Sequence, residues 1–300
     1  MTALAPVLEA PATAAVRPLC PVGAAALEAG PAADPKAAAV RAIPRKLEFG
    51  LSPEQLAAWH RLGYLHLKRV FDPADVAAWH EACQEAEGRA DLAHPDNLRV
   101  QLNPDPDGGA PRVWKFDPFL DLHTTFGALG RDRRILDPLA SIYAGREPRL
   151  FKDKLICKPP GGSGNGLHQD YHWWQGFPTS LISVMVAIDP ADEENGCTEV
   201  FPGFEKGFMT ERGQWSELKL EQIRASEGVK IVTEPGDLAL FHCFTPHRAG
   251  PNKSSRWRRQ AFLTYNDAAD GEHYFAHRDH YWWYVTRHRE AEAQRRAFFL

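Results

Sequence analysis

Cysteine is scarce and poorly placed for scaffolding. The chain has five in 300 residues, Cys20, Cys83, Cys157, Cys197 and Cys243, so at least one is unpaired within a monomer. That count and the wide spacing argue against a disulfide framework and favour a reducing, cytoplasmic setting. No C-x-x-C pair exists, which removes the thiolate set of a structural zinc site. Long apolar runs are missing too, and no stretch approaches membrane-spanning length. The net charge of −4 lacks the basic excess that nucleic-acid binding needs. The start has no basic segment leading into an apolar block, and Glu9, Glu28 and Asp34 suit a transit peptide poorly. Neither a nucleic acid nor a membrane is expected as a partner, whereas self-association is left open.

Residues 1–44 are dominated by Ala and Pro without a sustained apolar period, which reads as a disordered extension. Residues 45–300 remain as one domain, and 44% hydrophobic content suffices for a substantial core. Ser52-Pro53-Glu54-Gln55 carries a capping box and starts a helix that Gly63 ends. An alternating strand is expected from Tyr64 to Val70. Asp72-Pro73 starts a second helix with Val76, Trp79 and Cys83 on one face, and a third helix is expected over Pro138–Tyr143. From Leu150 strands dominate, interrupted by a helical insertion expected at Ser216–Ala225. Helices first and strands later define an α+β chain.

The chemistry sits in His168-Gln169-Asp170 and His247. Side chains at i and i+2 of extended chain share a face, so His168 and Asp170 can reach one ion. His247 follows the expected strand Leu238–Phe244 and supplies a third ligand. Two imidazoles and a carboxylate suit a redox-active non-haem iron and leave three positions open. With 13 His in the chain, such a triplet also arises by chance as a surface pair, so its context decides.

That context is Lys158-Pro159-Pro160-Gly161-Gly162 before the triplet, then Asn195-Gly196-Cys197, Phe201-Pro202-Gly203-Phe204, and His247-Arg248-Ala249-Gly250-Pro251 leading to Arg258. From about Leu51 to about Tyr265 the chain resembles the phytanoyl-CoA hydroxylase (PhyH-like) family of iron(II)- and 2-oxoglutarate-dependent dioxygenases. The resemblance implies a double-stranded β-helix, the cupin-like jelly roll, with helices packed outside. It implies His168, Asp170 and His247 as iron ligands, with Fe(II), 2-oxoglutarate and O2 as the reacting set. Arg258 falls where the family binds the far carboxylate of 2-oxoglutarate, a task suited to a planar, permanently charged guanidinium.

Lys115, in Val113-Trp114-Lys115-Phe116, matches a family segment whose lysine approaches the cosubstrate. Lys152, Lys154, Ile156 and Lys158 share one strand face. On a simple sandwich that face points to solvent, whereas in the family it points into the barrel mouth, where Lys154 can hold an anionic group of cosubstrate or substrate. Relatives often carry serine two residues after the last histidine; here Ala249 stands instead, so that one hydrogen bond to 2-oxoglutarate is either absent or supplied by Thr245 or Ser183. Asp170 favours hydroxylation, since halogenating relatives replace this carboxylate with a small residue. The aromatic run Tyr171-His172-Trp173-Trp174 and a second cluster, His273–Tyr284, are expected over the mouth, as ordinary core, or at a dimer face. Small polar metabolites are the expected substrates. A cupin-type isomerase or hydrolase that does not use 2-oxoglutarate, and a catalytically silent binding protein, are the competing classes.

Overall fold

Two capping boxes set the entry of the chain into the fold. At α1 (Pro53–Leu62) the Ser52 hydroxyl accepts from the Gln55 amide while the Gln55 side chain accepts from the Ser52 amide. Gly63, at φ 74°, ends the helix and donates to the Trp59 carbonyl, a left-handed position that glycine adopts without strain. After β1 (Tyr64–Leu67), Asp72 and Asp75 repeat the device at α2 (Pro73–Glu87), which buries Trp79, Ala82, Cys83 and Ala86. β1 stops short of the expected Val70. β2 (Val100–Asn103) and β3 (Arg112–Phe116) precede α3 (Thr124–Leu129) and α4 (Arg133–Ile142). α4 begins before the expected Pro138 because the Asp132 carboxylate caps it through the Arg134 amide.

The remaining elements are β4 (Pro148–Lys158), β5 (Asn165–His168), β6 (Ile182–Ala187), β7 (Thr198–Val200), β8 (Val229–Ile231), β9 (Leu238–His242), β10 (His247–Ala249), β11 (Arg258–Asp267), α5 (Tyr274–Thr286) and α6 (Ala291–Arg296). This computed structural model describes residues 45–94, 96–103, 108–203, 207–209, 218–219, 223, 228–286 and 291–300. The expected extension over 1–44 and most of the expected insertion at 216–225 lie outside the described residues.

Seven strands form one antiparallel sheet in the order β1-β9-β6-β11-β4-β3-β2, and four form a second in the order β5-β10-β7-β8. Alternation along β11 decides what each face does. Ala261, Leu263 and Tyr265 pack with Leu155, Cys157, Val184, Val186, Leu238 and Leu240 against helix residues such as Trp59, Trp79 and Leu139. The opposite face places Phe262 with Met185, Ala239 and Phe241, and these meet Val200 and Ile231 of the smaller sheet. β6 and β9 are therefore apolar on both faces, as strands buried between two layers must be. The result is the expected α+β jelly roll with helices outside the larger sheet.

Register corrects the solvent-facing alternative for the lysine strand. β11 pairs Arg258 with Lys158, Gln260 with Ile156, Phe262 with Lys154 and Thr264 with Lys152. Directly paired residues share a face, so the lysine face of β4 looks into the jelly roll with Phe262. The C-terminal segment is tied to the residues leading into β2: the Leu98 amide donates to the Phe298 carbonyl and the Phe298 amide to the Asp96 carbonyl. Among the described residues, no helix is long and apolar enough to cross a membrane.

Candidate active site

β5 and β10 place the two histidines. His168 and His247 are direct partners across these antiparallel strands, with ring centroids 4.2 Å apart. His247 lies just past the end of β9, as expected, and opens β10, a strand of the smaller sheet. The chain leaves β5 at His168, yet Gln169 stays extended (φ −108°, ψ 132°) before a short 3-10 turn over Asp170–His172. That single extended residue preserves the i, i+2 relation. His168 Nε2 and His247 Nε2 each lie 3.8 Å from Asp170 Oδ1.

The hydrogen bonds fix which ring nitrogens face inward. His168 Nδ1 lies 2.7 Å from the Gly166 carbonyl and His247 Nδ1 3.0 Å from the Thr245 carbonyl. A carbonyl can only accept, so each Nδ1 carries the proton and each Nε2 offers its lone pair to the shared point. The Ser183 hydroxyl donates to Asp170 Oδ2 at 2.8 Å, leaving Oδ1 free for an ion. Burial, and then the neighbouring His247, push His168 down to about 3, which keeps it neutral and ligating. Burial alone would raise the Asp170 carboxyl, but His247, Lys154 and His168 outweigh it and hold it below the usual range. Among the described residues these three form the one group whose donor atoms, all within 4.8 Å of one another, can hold an ion. Nitrogen and carboxylate donors with tuned backing suit iron(II).

Arg258 is 1% exposed, and no carboxylate among the described residues pairs with it. Its Nη1 donates to the Gln260 side-chain oxygen, while Arg258 Nε and Gln260 Nε2 are buried without a partner. Burial lowers the guanidinium to about 10, so it stays charged at neutral pH. A buried cation and a buried amide donor left open together are the signature of an anion site. Lys158, its cross-strand neighbour, is spoken for: its ammonium donates to the Gly196 and Gly250 carbonyls at 3.3 and 2.6 Å.

The expected substitutes for the missing serine are both committed elsewhere. Thr245 donates its hydroxyl to the Gly63 carbonyl, and Ser183 serves Asp170. Gln260 is the open donor beside Arg258, and the sequence signal for it was available: it lies two residues along the same strand.

A cavity of about 750 Å³ opens beside His168 and Asp170 and is lined by Lys115, Lys152, Lys154, Trp173 and Tyr281 among others. Arg258, although buried, is not part of that lining. Lys115 and Lys152 share the Asp117 carboxylate at 3.4 and 2.7 Å, and Lys115 also donates to the Tyr281 hydroxyl at 3.3 Å. Burial opposes the charge on Lys115, but Tyr281 and Asp117 outweigh it and hold the ammonium above its usual value. Burial likewise works against the Asp117 carboxylate, and Lys152 with Lys115 more than reverse that. Lys154 sits over the Phe262 ring at 5.1 Å; burial pulls it down to about 8, opposed by Asp170. The C-terminal aromatic cluster is α5, whose His277, His280, Tyr281 and Tyr284 line the cavity, while Phe275 and Trp282 on the same helix are 76% and 40% exposed.

A buried two-histidine, one-carboxylate centre inside a jelly roll has the donor set and fold of a non-haem iron oxygenase. The family model for phytanoyl-CoA dioxygenase (PhyH) matches residues 59–260, and the chain belongs to that family of 2-oxoglutarate-dependent enzymes. It is 29% identical to the 2-aminoethylphosphonate dioxygenase of an uncultured bacterium (HF130_AEPn_1) over 73% of this chain and 83% of the relative. It is 28% identical to the methylphosphonate hydroxylase of Gimesia maris over 75% and 86%. The apo crystal structure of EctD from S. alaskensis shares the fold, with a TM-score of 0.64, 22% identity, and coverage of 77% of this chain and 82% of that one.

Proposed function

We propose that the enzyme hydroxylates an unactivated C–H bond of a small polar metabolite while 2-oxoglutarate is oxidised to succinate and CO2. His168 Nε2, Asp170 Oδ1 and His247 Nε2 hold the iron(II), which supplies with O2 the oxidising power that side chains lack. The observation that carries the cosubstrate assignment is Arg258, a fully buried guanidinium with no carboxylate of the protein among its described partners. Arg258 and Gln260 are the donors for the far carboxylate of 2-oxoglutarate.

Strand register supports the fit. His247 pairs with Val200, and Ala249 with Thr198, next to Cys197, whose thiol feels the Arg258 charge. The Arg258 guanidinium would take the far carboxylate of the cosubstrate on that side of the triad. Ala249 adds no polar group there. Trp173, packed edge-on against His168 with ring centroids 4.8 Å apart, helps exclude water from the reacting face. Relatives named for 2-aminoethylphosphonate and methylphosphonate act on molecules of the proposed size and polarity.

Anaerobic titration of the metal-free protein with iron(II) and then 2-oxoglutarate tests this reading through the visible charge-transfer band of a chelated keto acid. The band is expected in the parent, absent in His168→Ala for want of iron, and absent in Arg258→Ala with iron still bound. Iron binding without any band in the parent would sink the cosubstrate assignment.

A further inference from the structure

The charges along the cavity wall do not balance. Among the described lining residues the charged side chains are Lys115, Lys152, Lys154, Asp117 and Asp170. Asp170 belongs to the metal. Lys115 and Lys152 divide one carboxylate, Asp117, between them, and both ammoniums lie over the Tyr281 ring at 5.3 and 5.0 Å. Lys154 has no hydrogen-bond or ion-pair partner among the described residues, only the Phe262 ring face. Three ammoniums thus answer to one carboxylate.

The metal end absorbs none of this surplus. Iron(II), Asp170, dianionic 2-oxoglutarate and Arg258 neutralise one another, so two positive charges remain on the wall when the centre is loaded. Unpaired cations inside a protein are unfavourable, and an enzyme retains them where a ligand completes them. A monoanionic head leaves one charge unanswered, whereas a dianionic head closes the balance. Each ammonium has three donors, so Lys115 and Lys152 keep spare donors beyond Asp117. Compact point charges suit the several oxygens of a tetrahedral oxyanion, whereas a planar carboxylate is better matched by the fork of an arginine.

We propose that Lys154, with Lys115 and Lys152, forms the seat for a dianionic oxyanion head of the phosphonate kind on the substrate. This rests on the dioxygenase reading above. The sign and placement of the surplus set the head against β4, next to Asp170, whose charge Lys154 feels. The cavity, at about 750 Å³, has room for an organic body beyond the head along Trp114, Trp173 and Tyr284.

The test uses full-length protein loaded anaerobically with iron(II) and 2-oxoglutarate, titrated with butylphosphonate as its dianion or with pentanoate as the carboxylate of similar length. Calorimetry and displacement of the charge-transfer band give the dissociation constants. Butylphosphonate is expected to bind at least roughly tenfold more tightly than pentanoate. Lys154→Met is expected to weaken it roughly ten- to a hundredfold while 2-oxoglutarate affinity stays within about twofold, and Lys154→Arg to restore most of the loss. Equal affinity for the two probes would overturn the dianionic seat. Loss of 2-oxoglutarate affinity in Lys154→Met would reassign Lys154 to the cosubstrate and overturn the proposal. Should the parent show no charge-transfer band, the dioxygenase reading fails by itself, and butylphosphonate titrated into metal-free parent and Lys154→Met still decides the seat.

Discussion

Arg258 and Arg259 are neighbours on one strand with opposite fates. Arg259 points to the helix side, where Glu87 accepts from its Nε and Nη2 at 2.7 and 3.1 Å and Asp189 from its Nη1 at 3.2 Å, with Trp257 stacked on the guanidinium. Arg258 points into the jelly roll and meets an amide oxygen and no carboxylate. The protein spends two acidic side chains on the arginine that holds strand to helix and none on the one that turns into the jelly roll. A side chain whose electrostatic needs are met internally is structural; one whose needs are left open is addressed to something that arrives.

Arg259→Met should produce the largest effect, on stability alone. Removing one member of a largely buried cluster strands Glu87 and Asp189 and costs about 3–5 kcal/mol, read as a large fall in melting temperature, with 2-oxoglutarate affinity little changed. Arg258→Met should do the reverse. Removing an uncompensated buried charge leaves the apoprotein melting temperature unchanged or higher, while 2-oxoglutarate binding falls roughly a hundredfold or more. A substantial loss of apoprotein stability in Arg258→Met would dissolve the distinction between the two arginines. Gln260→Leu sharpens it on a smaller scale, with a loss of roughly tenfold in cosubstrate affinity from one missing hydrogen bond.

The smallest effect concerns a buried group on the cavity's outer wall. Burial, and then the Lys152 charge, hold His277 well below its usual value, so the native state keeps it neutral where the unfolded chain takes up a proton. Stability therefore falls as pH drops below about 6.5, by up to roughly 1.4 kcal/mol per pH unit for this group. His277→Leu should make the plot of melting temperature against pH shallower on the acid side. His168 and His242, pushed by burial to about 3 and about 4, keep the remainder of the slope.

Legibility in the sequence followed the physics of each element. The meeting of His168, Asp170 and His247 and the strand that Arg258 opens were readable because a ligand set and an alternating strand leave marks in one dimension, and the start of α1 was readable because a capping box is local. The inward turn of Lys152, Lys154 and Lys158 came only from the family resemblance, since alternation says which residues share a face and is silent on which face is inside. Asp117 escaped notice, and the contact of Tyr281 with Lys115 could not be foreseen within its aromatic cluster, because their meaning comes from Lys115 and Lys152 on separate strands. The role of α5 stayed open for a similar reason. Aromatic residues occur all round it, so no polar face announces that His277, His280, Tyr281 and Tyr284 look inward while Phe275 and Trp282 look out.

The facing of His168 and His247 across β5 and β10 reaches beyond ligand geometry. β5 is a four-residue strand at the edge of its sheet, paired to β10 through an irregular register. An ion on that rung clips together segments far apart in sequence and closes the long loop between them. Because an ion that binds only the folded chain stabilises it by mass action, metal loading should slow amide hydrogen exchange at Asn165–His168 more than at the buried strands of the larger sheet. The edge of the smaller sheet then acts as a gauge of whether the enzyme is charged with metal.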